Sequence, residues 1–223
     1  MTNRDYILKI SALSKQRRIK KILSCITRDY KIQTVSPSSR SFHTSTKLTN
    51  IIIPAKDQKN KLTLMAHHDV YPNSYGFNDN STGVVTLLRL QRAVHDNVEL
   101  VFTDGEECGG QGCRYYLENY PKPKEAINVD VVGLGNKIFY EMYGDCSFVM
   151  PPHTTMYQGV PFSDSYVLAD YGVPNILLLT GKHRSTLIED IFHAEHCGKD
   201  DGKLDLISEN IMNAVSDVLL GMV

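Results

Sequence analysis

The stretch Val98-Glu-Leu-Val-Phe-Thr-Asp-Gly-Glu-Glu-Cys-Gly-Gly110 decides the fold of this chain, because a short apolar run leads into a glycine-rich turn that carries two adjacent acids. The run at 98–102 predicts a buried strand. Glu106 and Glu107 follow at its end, where desolvation of a carboxylate has to be offset by a cation or by hydrogen bonds. Alone, such a pair is more often a solvated acidic turn, so the rest of the chain must decide between the two interpretations.

Short apolar runs alternate with helical patterns along the sequence. Residues 62–65 and 127–131 read as strands, and 81–94 reads as an amphipathic helix. This alternation predicts an α/β fold, a three-layer α/β/α sandwich with a mixed, largely parallel central sheet. In such sheets the functional groups collect beyond the carboxyl ends of the strands.

The composition fits one globular domain over residues 1–223, with 42% hydrophobic and 22% charged residues and a net charge of -1. This balance gives no basic field, so we expect neither nucleic acid nor membrane as a partner. The basic run at 15–21 has apolar residues at helical spacing, and we interpret it as the solvated face of an N-terminal helix over about residues 5–27. With no signal peptide and no membrane-spanning run in the sequence, we expect a cytoplasmic protein.

Residue types that commonly bind metal ions follow the predicted strands. His67 and Asp69 come after the strand at 62–65, and in this spacing the histidine can bind a metal while the carboxylate orients its ring. Asp130 lies in an apolar strand, where an unpaired carboxylate is costly and a metal or strong partner is favoured. Asp79 precedes the helix at 81–94 and is either a helix cap or a carboxylate that bridges two cations.

The last ligand is expected to be a histidine near the C-terminus, where Phe192-His-Ala-Glu-His196 offers His193 and His196. One of them is needed, and we favour His196 because Asp200 can order the turn that follows it. The full set would serve two ions, with Asp79 between them. Nitrogen and carboxylate ligands without thiolate predict Zn²⁺, with Co²⁺ or Mn²⁺ as substitutes.

The order of these motifs resembles the co-catalytic di-zinc aminopeptidase family, which includes the bacterial leucyl aminopeptidases and aminopeptidase Y. A further segment, Phe162-Ser-Asp-Ser-Tyr166, is similar to the Ser-Asp segment of that family. The four segments that carry the resemblance are Met65-Ala-His-His-Asp-Val70, Gly76-Phe-Asn-Asp-Asn-Ser-Thr-Gly83, Glu106-Glu-Cys-Gly-Gly-Gln-Gly-Cys113 and Ile127-Asn-Val-Asp-Val-Val-Gly133.

The resemblance implies a metal-dependent exopeptidase that removes N-terminal amino acids from peptides through a water activated by two zinc ions. The C-terminal histidine motif of the family is matched only in pieces, and the chain is short, so substrate specificity does not carry over. By position, the resemblance implies that His67 and Asp130 bind one zinc ion, and that Glu107 binds the other together with His196 or His193. Asp79 would bridge the two ions. Glu106 would be the general base, and Asp69 would orient the ring of His67.

Other functions remain open at this point. Related folds hydrolyse acylated amino acids or other small amides, and some are glutaminyl cyclases. The resemblance implies that the cyclases use a single zinc and lack the histidine of the first metal site, so the presence of His67 disfavours a cyclase. An inactive metal-binding scaffold is the alternative from a different class, but every catalytic position of the family is filled. The sequence does not indicate an oligomeric state.

Overall fold

Apolar strands through the middle of the sequence form the frame of the fold. The computed structural model describes residues 1–11, 14–35, 47–58, 61–72, 74–189 and 203–223. The strands are β1 (Lys31–Val35), β2 (Leu48–Ile53), β3 (Leu62–His67), β4 (Val98–Thr103), β5 (Glu125–Val129), β6 (Lys137–Tyr143), β7 (Thr154–Met156) and β8 (Asn175–Gly181). The helices are α1 (Asn3–Ile10), α2 (Lys15–Leu23), α3 (Gly83–Leu90), α4 (Gln111–Asn119), α5 (Asp164–Asp170) and α6 (Glu209–Met222).

The described strands form one mixed sheet in the order β1-β2-β4-β3-β5-β8-β6-β7. Strands β4, β3, β5 and β8 run parallel in its centre, with His67 opposite Thr103 in the register of β3 and β4. Strand β2 pairs antiparallel with β4 and strand β6 pairs antiparallel with β8. The carboxyl ends of the four central strands therefore meet at one edge of the sheet.

Two apolar cores lie on opposite faces of the sheet, because successive side chains of a strand point to opposite sides. In β4, Leu100 and Phe102 belong to the core formed with α1, α2, α3 and α6, whereas Val101 belongs to the core formed with α4 and α5. The result is helix, sheet, helix in three layers. The predicted fold class is confirmed.

The N-terminal segment differs from the prediction of a single helix over about residues 5–27. It forms two helices, because Ser11 and Ser14 both adopt extended backbone angles between α1 and α2. The break allows Ile7 and Ile10 of α1 and Ile22 of α2 to be buried in the same core. No helix in the described part of the chain is long and apolar enough to cross a membrane.

Candidate metal centre

His67, Asp79 and Asp130 converge at the carboxyl edge of the central strands. His67 ends β3, Asp130 directly follows β5, and Asp79 lies in the kinked turn Phe77–Thr82 that leads into α3. Nε2 of His67 is 2.9 Å from Oδ1 of Asp79 and 3.3 Å from Oδ1 of Asp130. One ligand atom of each residue lies within 4.8 Å of the others.

These three side chains fit a metal ion. Oδ1 of Asp79 and Oδ1 of Asp130 are buried, and among the described residues their polar contact is the single nitrogen Nε2 of His67, which both carboxylates share. Two buried carboxylates that share one imidazole nitrogen remain costly, and a cation between them offsets that cost. One imidazole nitrogen with carboxylate oxygens is a donor set that Zn²⁺ accepts.

The electrostatics of the cluster also call for a cation. Burial acts to lower the pKa of His67, but the charges of Asp130 and Asp79 outweigh it and hold that pKa well above its ordinary value. In the metal-free chain the imidazolium thus supplies positive charge where a metal ion would. Burial, followed by repulsion from Asp79, raises the pKa of Glu107 to about 9.

Asp69 connects the end of β3 to the turn after β4. Its Oδ1 lies 3.4 Å from Nδ1 of His67, and its two oxygens accept the backbone N–H groups of Glu106 and Glu107 at 3.2 Å each. Burial acts to raise the pKa of Asp69, but His67, His68 and the N–H group of Glu106 lower it to about 2. A carboxylate at this point can orient the His67 ring and fix the two glutamates.

Glu106 and Glu107 line a cavity of about 320 Å³ together with the three converging residues. Glu106 is 7% exposed, and burial, opposed by His67 and reinforced by Asp130, raises its pKa well above the ordinary value. Oε1 of Glu107 makes no hydrogen bond among the described residues. The remaining wall of the cavity is largely apolar, with Val131, Val160, Phe162, Leu177 and Leu179.

Hydrogen bonds fix the turn that carries Asp79 against the strand end that carries Asp130. The polar residues around Asp79 bind backbone groups on both sides of Asp130, which accounts for the Asn-Asp-Asn-Ser-Thr sequence of the turn. The bonds run from Asn80 Nδ2 to Val129 O (2.9 Å), from Val132 N to Thr82 Oγ1 (3.1 Å) and from Gly133 N to Asn78 Oδ1 (3.0 Å).

The wall beside Asp130 also holds a strained backbone. Val131 has a φ of +48°, in the left-handed region that β-branched residues rarely adopt. Strain of this kind is typical of functional sites, where the surrounding structure over-determines the conformation.

The expected C-terminal ligand cannot be placed. His193 and His196 both lie outside the described residues. The ligand set expected for a second ion, Glu107 with one of these histidines, therefore stays a prediction.

One buried acid near the centre was not given a role by the sequence. Asp164 begins α5, and its Oδ2 accepts a hydrogen bond of 2.5 Å from Thr103 Oγ1 at the end of β4. Burial, opposed by that hydrogen bond, raises the pKa of Asp164 to about 7, and its charge in turn raises the pKa of Glu106. The Ser-Asp segment in the sequence was the available signal for this residue.

Residues 50–150 match the model of peptidase family M28. This stretch holds every metal-binding or catalytic residue predicted from the sequence except His193 and His196. The match, together with zinc aminopeptidases among similar structures, confirms the resemblance that the motifs indicated. Comparison with curated proteins finds no match.

Solved structures with the same fold include both peptidases and cyclases. A zinc aminopeptidase from Bacillus subtilis is 20% identical, with a TM-score of 0.65, and the alignment covers 78% of this chain but 48% of that one. The LapA aminopeptidase of Legionella pneumophila is 15% identical, with a TM-score of 0.66 and coverage of 98% and 68%. The glutaminyl cyclase of Porphyromonas gingivalis is 18% identical, with a TM-score of 0.73 and coverage of 99% and 95%. The chain thus spans about half the length of the Bacillus enzyme.

Proposed function

We propose that this chain is a metal-dependent aminopeptidase that hydrolyses the first peptide bond of peptides with an apolar N-terminal residue. The observation that carries the proposal is the convergence of His67, Asp79 and Asp130 on the floor of a cavity that also exposes Glu106 and has an apolar wall. The family M28 match over the same residues supports it. The low identities to solved enzymes support only the fold.

His67 and Asp130 would hold one zinc ion, with Asp79 shared with a second ion on Glu107 and a C-terminal histidine. When bound, zinc polarises a carbonyl oxygen and acidifies water. Asp69 would keep the His67 ring oriented through its contact with Nδ1. The apolar wall would bind the first side chain of the peptide and exclude bulk water from the carboxylates.

Glu106 would be the general base. It is buried in the cavity beside the three converging residues, and Asp69 holds its backbone N–H, so its carboxyl group would be placed to take a proton from water and pass it to the leaving amine. A raised pKa suits this role, because a carboxyl group with an ordinary pKa is a weak base at neutral pH.

A second candidate is glutaminyl cyclase activity. The observation that favours it is length: this chain and the Porphyromonas cyclase align over nearly all of both, whereas only about half of the Bacillus aminopeptidase is covered. In that reaction the N-terminal amine attacks the side-chain amide of glutamine and ammonia leaves. The same buried carboxyl would move the proton from the amine to the ammonia.

One experiment separates the candidates. The zinc-loaded chain is incubated with three peptides that share one sequence but begin with leucine, with glutamine or with N-acetyl-leucine, and the products are identified by mass spectrometry. Release of leucine supports the aminopeptidase, loss of ammonia from the glutamine peptide supports the cyclase, and cleavage of the blocked peptide alone supports a deacylase.

The Glu106→Gln variant is the control for each activity. It preserves the shape of the side chain but removes the base, and we expect it to bind zinc as wild type does while the rate falls by about 10² to 10⁴. Metal analysis of the purified wild-type protein counts the ions. Zinc binding without reaction on any of the three peptides would leave the metal-binding scaffold as the better description.

A further inference from the structure

Arg18 is a buried arginine in a run that the sequence presents as a solvated helix face. That interpretation holds for Arg17 and Lys20, which are exposed, but it is wrong for Arg18, whose exposure is 1%. Nε of Arg18 donates to the carbonyl oxygen of His68 at 2.6 Å, and Nη2 donates to Oγ of Ser81 at 2.9 Å. Helix α2 therefore contacts the carboxyl edge of the central strands, although it lies outside residues 50–150, which the family model matches.

The two acceptors belong to segments that carry candidate ligands. His68 is the residue between His67 and Asp69, and Ser81 lies two residues after Asp79. Oγ of Ser81 also donates to the carbonyl oxygen of Gly76, at the start of the same turn. One guanidinium group thus bridges the end of β3 and the turn of Asp79.

With this bridge, hydrogen bonds connect the segment of Asp79 to the segments of both other candidate ligands, Asp130 and His67. The side chains of the turn already bind the end of β5, which fixes Asp79 relative to Asp130. Arg18 supplies the corresponding connection on the β3 side, between Asp79 and His67. A guanidinium group suits this task because its donors form a rigid planar fork, whereas a lysine has one flexible point of attachment.

We propose that Arg18 is a positioning residue for the metal centre, and that it sets the spacing of His67 and Asp79 by holding the His68 carbonyl and the Ser81 hydroxyl in one fork. Burial of a charged group is costly, so a position that keeps it needs a compensating gain. Here the gain would be that His67 and Asp79 are already correctly spaced before the metal ion binds. The inference rests on the proposed metal centre and adds to it a contribution from the N-terminal helices.

The test compares Arg18→Met and Arg18→Lys with Arg28→Met. Arg28 is the control, because it also bridges two acceptors from different segments, the backbone carbonyls of Gln91 and Pro54, but does so at the opposite edge of the sheet. Zinc affinity of the metal-stripped proteins is measured by competition with a chromophoric chelator, and their thermal unfolding is recorded without metal. The visible spectrum of the Co²⁺-loaded proteins reports the ligand geometry.

We expect Arg18→Met to weaken zinc binding by about 10- to 100-fold and to change the cobalt spectrum, as removal of groups that orient ligands does. Arg18→Lys should lie between it and wild type. Arg28→Met should lower the unfolding temperature while zinc affinity and spectrum stay as in wild type.

Unchanged zinc affinity in both Arg18 variants would overturn the inference, as would an equal loss of affinity in Arg28→Met. If Arg18→Met does not fold, the zinc affinities of Arg18→Lys and Ser81→Ala decide the question instead. Ser81→Ala removes one of the two acceptors of the Arg18 guanidinium group. Wild-type protein that binds no zinc would defeat the proposed function together with this inference. Wild-type protein that binds zinc and tolerates every Arg18 variant defeats this inference alone.

Discussion

At the scale of single residues, the candidate centre gathers more negative charge than its own protein groups balance. Asp79, Asp130, Glu106 and Glu107 share one cavity with His67 as the facing cation, and burial raises the pKa of both glutamates. The folded chain without metal is therefore destabilised locally by the burial and mutual repulsion of these carboxyl groups. The arrangement becomes favourable when a cation enters.

Replacement of Glu107 tests this cost through the pH dependence of stability. Its folded-state pKa of about 9 lies above the ordinary 4.5, so between these values the folded chain binds more protons than the unfolded chain. The free energy of unfolding must then fall as pH rises through that window. We expect metal-free Glu107→Gln to match wild type near pH 5 and to exceed it by about 4 kcal/mol near pH 8, since each pH unit in this window is worth about 1.4 kcal/mol.

Urea denaturation in the presence of a chelator provides the measurement. Some decline with pH should persist in the variant, because the raised pKa of His67 has the same sign: its contribution is present below about pH 6.5 and is lost as pH rises through the folded-state value. Addition of zinc should reverse the order of the two proteins, since zinc stabilises the state that binds it. Exposed Glu189→Gln serves as the control, and a similar gain in it would contradict the assignment.

At the scale of elements, the start of α3 is packed directly against the end of β5. Gly83 has helical backbone angles, so alanine would ordinarily favour the helix there. A Cβ at this position would overlap the carbonyl oxygen of Val129 and Oδ1 of Asn80. Sequence patterns assign Gly83 to the helix, but they do not reveal this close approach.

The Gly83→Ala substitution should therefore destabilise the protein by about 1 to 3 kcal/mol, because the helix has to move away from the strand end. Gly221 in α6 is the matched control, since a Cβ there meets nothing within 4 Å. Gly221→Ala should be neutral or stabilising by up to about 1 kcal/mol. Urea denaturation of both variants checks the contrast, and a gain in both would show that helix propensity outweighs packing at Gly83.

The elements predicted well are those whose signal is local. Strands β3, β4 and β5 are apolar runs, and the acids and histidine that follow them were placed at one edge by the parallel arrangement alone. The break between α1 and α2 was missed because the apolar spacing continues across it. Arg18 and Asp164 were missed as site residues because their partners, His68, Ser81 and Thr103, are distant in sequence and only the fold brings them together.

At the scale of the whole molecule, the two ends of the central strands carry different kinds of buried charge. The carboxyl end gathers acids around a candidate metal centre. The other end holds Lys61, 2% exposed, whose Nζ binds Glu99 Oε1 at 2.8 Å, the hydroxyl of Tyr116 at 3.1 Å and the carbonyl oxygen of Pro121 at 2.7 Å. This pair is satisfied by the protein alone, so it requires no ligand.

Separate mutation of this pair should change stability and leave the metal centre intact. Lys61→Met leaves the Glu99 carboxylate buried without its cation, which costs about 3 to 5 kcal/mol, whereas the double variant Lys61→Met, Glu99→Leu removes both charges and should cost less than the single variant. Urea denaturation measures the stabilities, and chelator competition measures zinc affinity under conditions where each variant is folded. We expect zinc affinity to be unchanged, because Lys61 precedes β3 at the edge of the sheet opposite to His67. A zinc affinity that falls together with stability would show instead that the two edges are energetically coupled.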